Sequence, residues 1–292
     1  MYRPKLSAPI WRGEDLRGKT ILLYPEQGRG DAIQFVRSAA VLQGRGARVI
    51  LECAREMVPL FSSAPGVDRL LAQGIAVSEP IDYQASLLEV VDVCYCQTGQ
   101  IPYAEELFAS GAGYLTVSEA LIDYWCRWLG TSPSGRRVGI NWQGNPGHHA
   151  DVYRSVPLEV LRPLLEVGGI DWVNLQFGFG VEQLERCDFA DSILRLPDHV
   201  DTTDGAFTDT AAIVKNLDLV ITTDTAVAHL AAAVGTKVMM LLGKVPDWRW
   251  LMEGETTPWY PTITMLRQSQ LGHWDDVVHQ AVTRLTAGLE NQ

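Results

Sequence analysis

The sequence predicts an α/β protein built from two Rossmann-like halves with parallel sheets. Short β-rich apolar runs alternate with helix-like stretches from end to end, as parallel strands with crossover helices require. The chain has 292 residues, and one domain per ~150 residues suggests two. A run of small, turn-forming residues, Gly130-Thr131-Ser132-Pro133-Ser134-Gly135, separates two such series and reads as the linker. A cleft between the halves is expected.

The first series opens with a strand at Thr20–Tyr24. A glycine-bearing turn, Glu26-Gln27-Gly28-Arg29-Gly30, leads into a helix over 31–42. Gly44 and Gly46 stop that helix before a strand at Arg48–Leu51, which completes one βαβ unit with short connections. Residues 53–115 are less patterned, with a helix near 56–62 and strand-like pieces near 69–71 and 87–93. A helix carrying Trp125 and Trp128 precedes the linker. The second series reads as strand 138–142, helix 158–167, and strands 172–176 and 193–196. It continues with helix 208–216, strand 217–222, helix 226–234 and strand 238–242. Trp274, Val277, Val278, Ala281, Val282, Leu285 and Leu289 recur at i, i+3, i+4 spacing and predict an amphipathic closing helix.

Composition narrows the function. Apolar residues make up 47% and charged residues 20%, which excludes a disordered chain, a collagen-like repeat and a small disulfide scaffold. Subtracting 35 acidic from 24 basic side chains leaves a formal charge of −11. Without a basic block this is a poor surface for neutralising phosphates, so no nucleic-acid partner is expected. The longest stretch lacking Asp, Glu, Lys and Arg, Val138–Ala150, contains Gly, Pro and two His. It cannot supply the about 20 apolar residues of a membrane span. Met1-Tyr2-Arg3-Pro4-Lys5 leads into no apolar signal region. The five scattered cysteines (Cys53, Cys94, Cys96, Cys126, Cys187) show no zinc spacing and read as reduced core thiols of a cytoplasmic protein.

Three segments carry candidate chemistry. In the turn from Tyr24 to Asp31, glycines let a ligand approach the backbone and leave amides free at a helix start. Asp31 stands at the expected N-cap position, where it either caps amides or faces a cleft as a general base. The second segment is Leu217-Asp218-Leu219-Val220-Ile221-Thr222-Thr223-Asp224-Thr225-Ala226-Val227-Ala228-His229. There a buried strand runs into a helix whose first turn is small, a ready seat for phosphate. Thr225 can add a hydroxyl, and His229 lies four residues on, on the same face. The third segment, Asn141-Trp142-Gln143-Gly144-Asn145-Pro146-Gly147-His148-His149 with Asp151, Arg154 and Ser155, leaves the first strand of the second half. Ligands bind beyond the carboxyl ends of such strands, which brings Arg154 within reach of a diphosphate. The paired histidines have no carboxylate at helical spacing and read as a solvated loop. Pro246-Asp247-Trp248-Arg249-Trp250 and Pro258-Trp259-Tyr260-Pro261 either seal a domain edge or stack on a sugar or base. No two Asp residues are separated by a single residue, so an Asp-x-Asp metal clasp is absent.

Taken in order, these residues resemble a known family. Glu26-Gln27-Gly28-x-Gly30-Asp31-x-Ile33-Gln34-Phe35, Arg154-Ser155, Phe207-x-Asp209-Thr210-Ala211-Ala212 and Asp224-Thr225-Ala226-Val227-Ala228-His229-Leu230 lead the set. Pro246-Asp247-Trp248-Arg249-Trp250 and Trp259-Tyr260-Pro261 complete it. The set resembles the glycosyltransferase region of bacterial tetratricopeptide-repeat proteins. It is similar to the heptosyltransferases (glycosyltransferase family nine) and, more distantly, to O-linked N-acetylglucosamine transferases. The resemblance implies a GT-B fold, with an acceptor-side domain over residues 1–132 and a nucleotide-sugar domain over 133–270. A closing helix over 271–292 would cross back to the first domain. It implies transfer from a nucleoside-diphosphate sugar to a hydroxyl of a glycan or protein acceptor, with inversion and no obligatory metal or other cofactor. Asp31 is the implied base. Gln27, Gly28, Gly30, Asn141, Arg154, Gln176, Asp224, Thr225, Ala226 and His229 are the implied nucleotide-sugar contacts. A non-catalytic nucleotide- or glycan-binding module and a nucleotide-sugar epimerase are the alternatives on the same architecture.

Overall fold

The structure is a computed structural model and describes Pro4 and residues 7–290. Of the amino-terminal stretch read above, Met1, Tyr2, Arg3 and Lys5 lie outside the described residues. The chain divides into two compact units, one reaching to Val117 and including Asp201–Asp209, the other formed by Ser118–Val200 and the chain from Thr210 onward.

In the amino-terminal unit, β1 (Thr20–Tyr24) leads through the glycine turn into α1 (Arg29–Phe35) and α2 (Ser38–Gly44), then to β2 (Arg48–Cys53). The single helix expected over 31–42 is therefore interrupted at Val36–Arg37. Arg37 is fully buried, and its Nε donates to the Gln34 carbonyl at 2.7 Å. That carbonyl would otherwise accept the Ser38 amide one turn on. The Arg37 guanidinium also reaches the Tyr103 carbonyl and the Tyr114 hydroxyl and lies 4.6 Å from the Tyr114 ring centroid.

After α3 (Val58–Phe61) and β3 (Arg69–Ala72), β4 (Tyr83–Ser86) runs directly into α4 (Leu87–Thr98). The strand-like piece expected near 87–93 is thus helical. Ser86 caps it by accepting the Glu89 amide, and the Glu89 carboxylate accepts the Ser86 amide. Gly99, with φ 70°, ends it in the left-handed conformation that a side chain would resist. The four strands pair in parallel in the order β3-β2-β1-β4.

The carboxyl-terminal unit begins with α5 (Glu119–Leu129), so the boundary falls before this helix, between Val117 and Ser118, rather than after it at residue 132. Its attachment explains this. Asn216 Nδ2 donates to the Ile122 carbonyl at 3.0 Å, and Arg137 donates to the carbonyls of Leu129 and Gly130. The elements continue as β5 (Arg137–Asn141), α6 (Asp151–Arg154), α7 (Arg162–Leu165), β6 (Asp171–Asn174), β7 (Ile193–Leu194) and α8 (Thr208–Val214). Then come β8 (Leu219–Thr223), α9 (Ala226–Ala233), β9 (Val238–Leu242), β10 (Ile263–Arg267) and α10 (Asp275–Glu290). The expected helix at 158–167 is a 3-10 turn followed by α7, because Pro163 lacks the amide that a continuous helix would use. β10 went unpredicted; it adds the edge strand of a parallel sheet ordered β10-β9-β8-β5-β6-β7.

Trp274, Val277, Val278, Ala281 and Leu285 form the apolar face that the spacing predicts. They enter the core of the carboxyl-terminal unit with Val138, Ile140 and Leu241. The closing helix was expected to cross back to the first domain. Its apolar face is buried within its own unit instead, where the sheet and α7 offer matching apolar surface. Among the described residues, no helix is long and apolar enough to cross a membrane. The cysteines are all free, but only Cys53 and Cys94 are core thiols; Cys96 and Cys126 are exposed and Cys187 is half-buried.

Candidate functional site

Each unit has a candidate site of its own at the carboxyl edge of its sheet, at the point where strand order reverses. In open parallel sheets that point is where a crevice forms and ligands bind.

In the amino-terminal unit the reversal lies between β1 and β4, which pair Tyr24 with Ser86 at their ends. The turn after β1 exposes Gln27 and Gly28, and Gly30 is half-buried. Asp31 is the third residue of α1, not its N-cap; Gly28 takes the cap position. The Asp31 Oδ2 accepts the Gly28 amide at 2.9 Å, so the carboxylate closes the turn on itself. Arg29, beside it, points to an ion pair with Glu56 at 3.0 Å, exposed on both sides. Glu26, Asp31, Ala32, Phe35, Leu87 and Leu88 meet in a shallow indentation too tight to admit a water molecule. Burial pushes the Glu26 carboxyl above its ordinary value, and the Glu89 carboxylate adds to that. Hydrogen bonds from Ser86 and from the backbone at Glu26 and Leu88 oppose the rise.

In the carboxyl-terminal unit the reversal lies between β5 and β8, where Asn141 pairs with Thr222. Asn141 Oδ1 accepts the hydroxyls of Thr222 (2.9 Å) and Thr225 (2.8 Å), while its Nδ2 donates to Gln176 Oε1 at 2.8 Å. The same Gln176 oxygen accepts the amides of Trp142 and Gln143, and its Nε2 donates to the Gln143 and Phe179 carbonyls. Asn141 and Gln176 are buried, and these bonds engage both ends of each amide. They knit the loops of the edge together. Thr225 takes the N-cap position of α9, yet its side chain makes no cap bond, because its hydroxyl is turned to Asn141. The first-turn amides of α9 are therefore not capped by it.

Arg154 reaches this helix start. Its Nη1 donates to the Asp224 carbonyl at 3.0 Å and its Nε to Asp151 Oδ1 at 3.2 Å. A Cβ on Gly144 would stand 2.6 Å from its Nη2. Asp224 sits among Trp250, Arg249, Arg154 and Asp247. Burial pushes its carboxyl up, and the Trp250 indole and the two guanidiniums pull it back toward the charged form. His229 is buried, with Nδ1 3.0 Å from the Tyr260 hydroxyl and its ring stacked 5.3 Å from Trp250. Ala226 is half-buried at the first turn. The structure thus gathers Asn141, Arg154, Gln176, Asp224, Thr225, Ala226 and His229 at one sheet edge, and Gln27, Gly28, Gly30 and Asp31 at the other. Glu26, Arg249, Trp250 and Tyr260, singled out in the sequence only as members of the glycine turn and the aromatic runs and not as site residues, also stand at these edges. The aromatic runs were the signal for the last three: Trp250, Trp259 and Tyr260 are buried, and only Trp248 is mostly exposed. His148 and His149 are exposed and stacked on each other, in a solvated loop. Among the described residues no group of three or more His, Cys, Asp and Glu side chains could hold a metal.

Residues 206–285 match the model of glycosyltransferase family 9 (heptosyltransferase). Protein FlbA of Caulobacter vibrioides is 29% identical over 290 residues, covering 94% of this chain and 48% of the relative. The chain thus spans about half the length of that curated relative. Among solved structures, the glycosyl transferase family 9 protein of Veillonella parvula DSM 2008 aligns with a TM-score of 0.66 at 11% identity, over 97% of this chain and 100% of that one. The E. coli ADP-heptose lps heptosyltransferase II aligns with a TM-score of 0.58 at 15% identity, over 93% and 99%. E. coli heptosyltransferase WaaC, solved with ADP-2-deoxy-2-fluoro heptose, aligns with a TM-score of 0.51 at 13% identity, over 93% and 99%. The fold is GT-B.

Proposed function

We propose that this chain transfers a glycosyl group from a nucleoside-diphosphate sugar to a hydroxyl of a glycan or protein acceptor, with inversion at the anomeric carbon. The observation that carries the reading is the β8–α9 edge: it lies inside the segment that matches glycosyltransferase family 9, and Arg154 is bonded to its turn. A helix start with uncapped amides carries partial positive charge, and a guanidinium beside it adds a full one. Together they form an anion seat suited to the diphosphate.

In this reading Asp31 takes the acceptor hydroxyl proton as that oxygen bonds to the anomeric carbon. The bond from that carbon to the diphosphate oxygen breaks, and the electron pair leaves with the nucleoside diphosphate. The α9 amides and Arg154 stabilise the charge that grows there. Asn141, Gln176 and Thr225 act by holding the loops, and His229 by bracing α9 against Trp250 and Tyr260. No step of this scheme needs a metal ion.

The WaaC structure holds an ADP-sugar analogue, so ADP is the first probe. We expect ADP or another nucleoside diphosphate to raise the melting temperature, by mass action on the native state. Donor turnover should then require an acceptor. Binding without transfer or hydrolysis across many acceptors would favour the binding-module alternative, and donor conversion without an acceptor would favour the epimerase. Failure of every nucleoside diphosphate to stabilise the protein would overturn the proposal.

A further inference from the structure

The loop between β9 and β10 carries Arg249 and Trp250 to the β8–α9 edge, and Arg267, the last residue of β10, grips that loop. We propose that Arg267 is a positioning residue of the donor seat: it locks the turn at 250–254 in a strained shape that keeps Trp250 against His229 and Arg249 beside Asp224. This inference rests on the reading of the β8–α9 edge as the seat for a nucleoside diphosphate.

The bonds are the first support. Arg267 Nε donates to the Gly254 carbonyl at 2.6 Å and Nη1 to the Leu251 carbonyl at 3.0 Å. Nη2 donates to the carbonyls of Trp250 and Glu253. All three nitrogens of one planar fork are thus engaged by main-chain oxygens of a single turn. The neighbouring side chain extends the hold, since Gln268 Oε1 accepts the Lys244 amide at the start of the same loop.

The backbone is the second. Leu251 has φ 60° and ψ 174°, a conformation that belongs almost wholly to glycine and persists only where the surroundings over-determine it. The Leu251 side chain is exposed, so its own packing does not impose that shape. The bonds from Arg267 to the Leu251 carbonyl and to the carbonyls on either side of it do.

What the turn carries is the third. Trp250 is fully buried and its ring lies stacked 5.3 Å from His229, on α9. Arg249 is buried, with Nη1 3.0 Å from Asp247 Oδ1, and its charge acts on the Asp224 carboxyl. Asp224 is also the residue whose carbonyl accepts Arg154. A turn that relaxed would take Trp250 and Arg249 with it, and the seat would lose a brace and a charge together.

The test uses the full chain, calorimetry with ADP, and amide hydrogen exchange over residues 248–254. The variants are Arg267→Lys, Arg267→Met and the double variant Arg267→Lys/Leu251→Gly. Lysine keeps the charge but not the fork. We expect Arg267→Lys to weaken ADP binding about tenfold, or about 1.4 kcal/mol, because fewer molecules hold the competent turn. Exchange at 248–254 should quicken in step, and Arg267→Met should do more of both. Leu251→Gly removes the strain that Arg267 holds down, so the double variant should recover most of the affinity and the protection. Melting curves establish that each variant folds. An arginine that only stabilised the fold would lower the melting temperature and leave ADP affinity, measured well below it, unaltered. That result would overturn the proposal, as would no recovery from Leu251→Gly or failure of both single variants to fold. If the parent binds no nucleoside diphosphate, the donor reading fails; unchanged exchange in Arg267→Lys would sink the hold on the turn as well, and quickened exchange would leave that hold standing.

Discussion

Asp31 and Glu26 flank the same glycine turn after β1 but are held differently, and their expected behaviour differs accordingly. Asp31 is oriented by the Gly28 amide inside a glycine turn. Asp31→Asn keeps that bond and removes the basic oxygen, so turnover should fall roughly 10²–10⁴-fold while nucleoside diphosphate affinity holds. Steady-state rates with calorimetry check this, and unchanged turnover would remove Asp31 from the role of base. Glu26 is a carboxyl whose protonated form the fold favours, since burial raises its folded value above the unfolded one. Its stabilising contribution is therefore complete below the unfolded value and is lost as pH rises through the folded one. Glu26→Gln should gain melting temperature relative to the parent as pH climbs from 4 to 7. A pH-independent difference would contradict this. Arg154 spends two nitrogens on Asp151 and the Asp224 carbonyl, a fork that lysine cannot copy. Arg154→Lys and Arg154→Ala should both weaken ADP binding, by about 10–100-fold for Ala. The sequence showed Asp31 and Arg154 because charged residues beside glycine turns stand out. It did not show the raised carboxyl of Glu26, whose surroundings are set by Ser86, Leu88 and Glu89, some sixty residues away.

Elements were legible where a pattern was long or punctuated, and illegible where a side chain from elsewhere intervened. β1, β2, β5, β8 and β9 are buried apolar strands bounded by turn residues, and they stand where the pattern places them. The run from Leu87 was ambiguous, since a short apolar stretch fits a buried strand or a buried helix equally. Ser86 with Glu89 three residues on was the capping-box signal that decides it. The break between α1 and α2 could not be read locally: Arg37 pays for its burial with Tyr103 and Tyr114, which are distant in sequence. The packing of α2 gives a prediction of its own. Gly66 has φ +77°, and a Cβ there would stand 2.3 Å from the Ala40 backbone. Neither the left-handed conformation nor the backbone contact can be relieved by a rotamer change. Gly66→Ala should cost at least about 2 kcal/mol, seen as a clear drop in melting temperature. A shift within error would show that the 62–68 loop repacks freely.

At the scale of the molecule, composition and alternation were enough for two parallel sheets, and the order of motifs was enough for GT-B. They did not give the unit boundary, because the contacts that bind α5 to the second unit come from Arg137 and Asn216. The formal charge of −11 frames the last prediction. An acidic protein that receives a diphosphate must supply local positive charge at that point, either from a bound cation or from its own groups. Metal seats in proteins draw on clustered carboxylates, imidazoles or thiolates. The β8–α9 edge instead presents helix amides and Arg154, with Arg249 beside Asp224. If these groups suffice, transfer after exhaustive chelation should keep its rate, and added Mg²⁺ or Mn²⁺ should leave the KM for the donor unchanged. The same measurement on Arg154→Ala makes the argument two-sided: a divalent ion should then restore part of the lost donor affinity by substituting for the missing charge. Loss of activity in the chelated parent, recovered by one metal, would mean that a cation completes the anion seat.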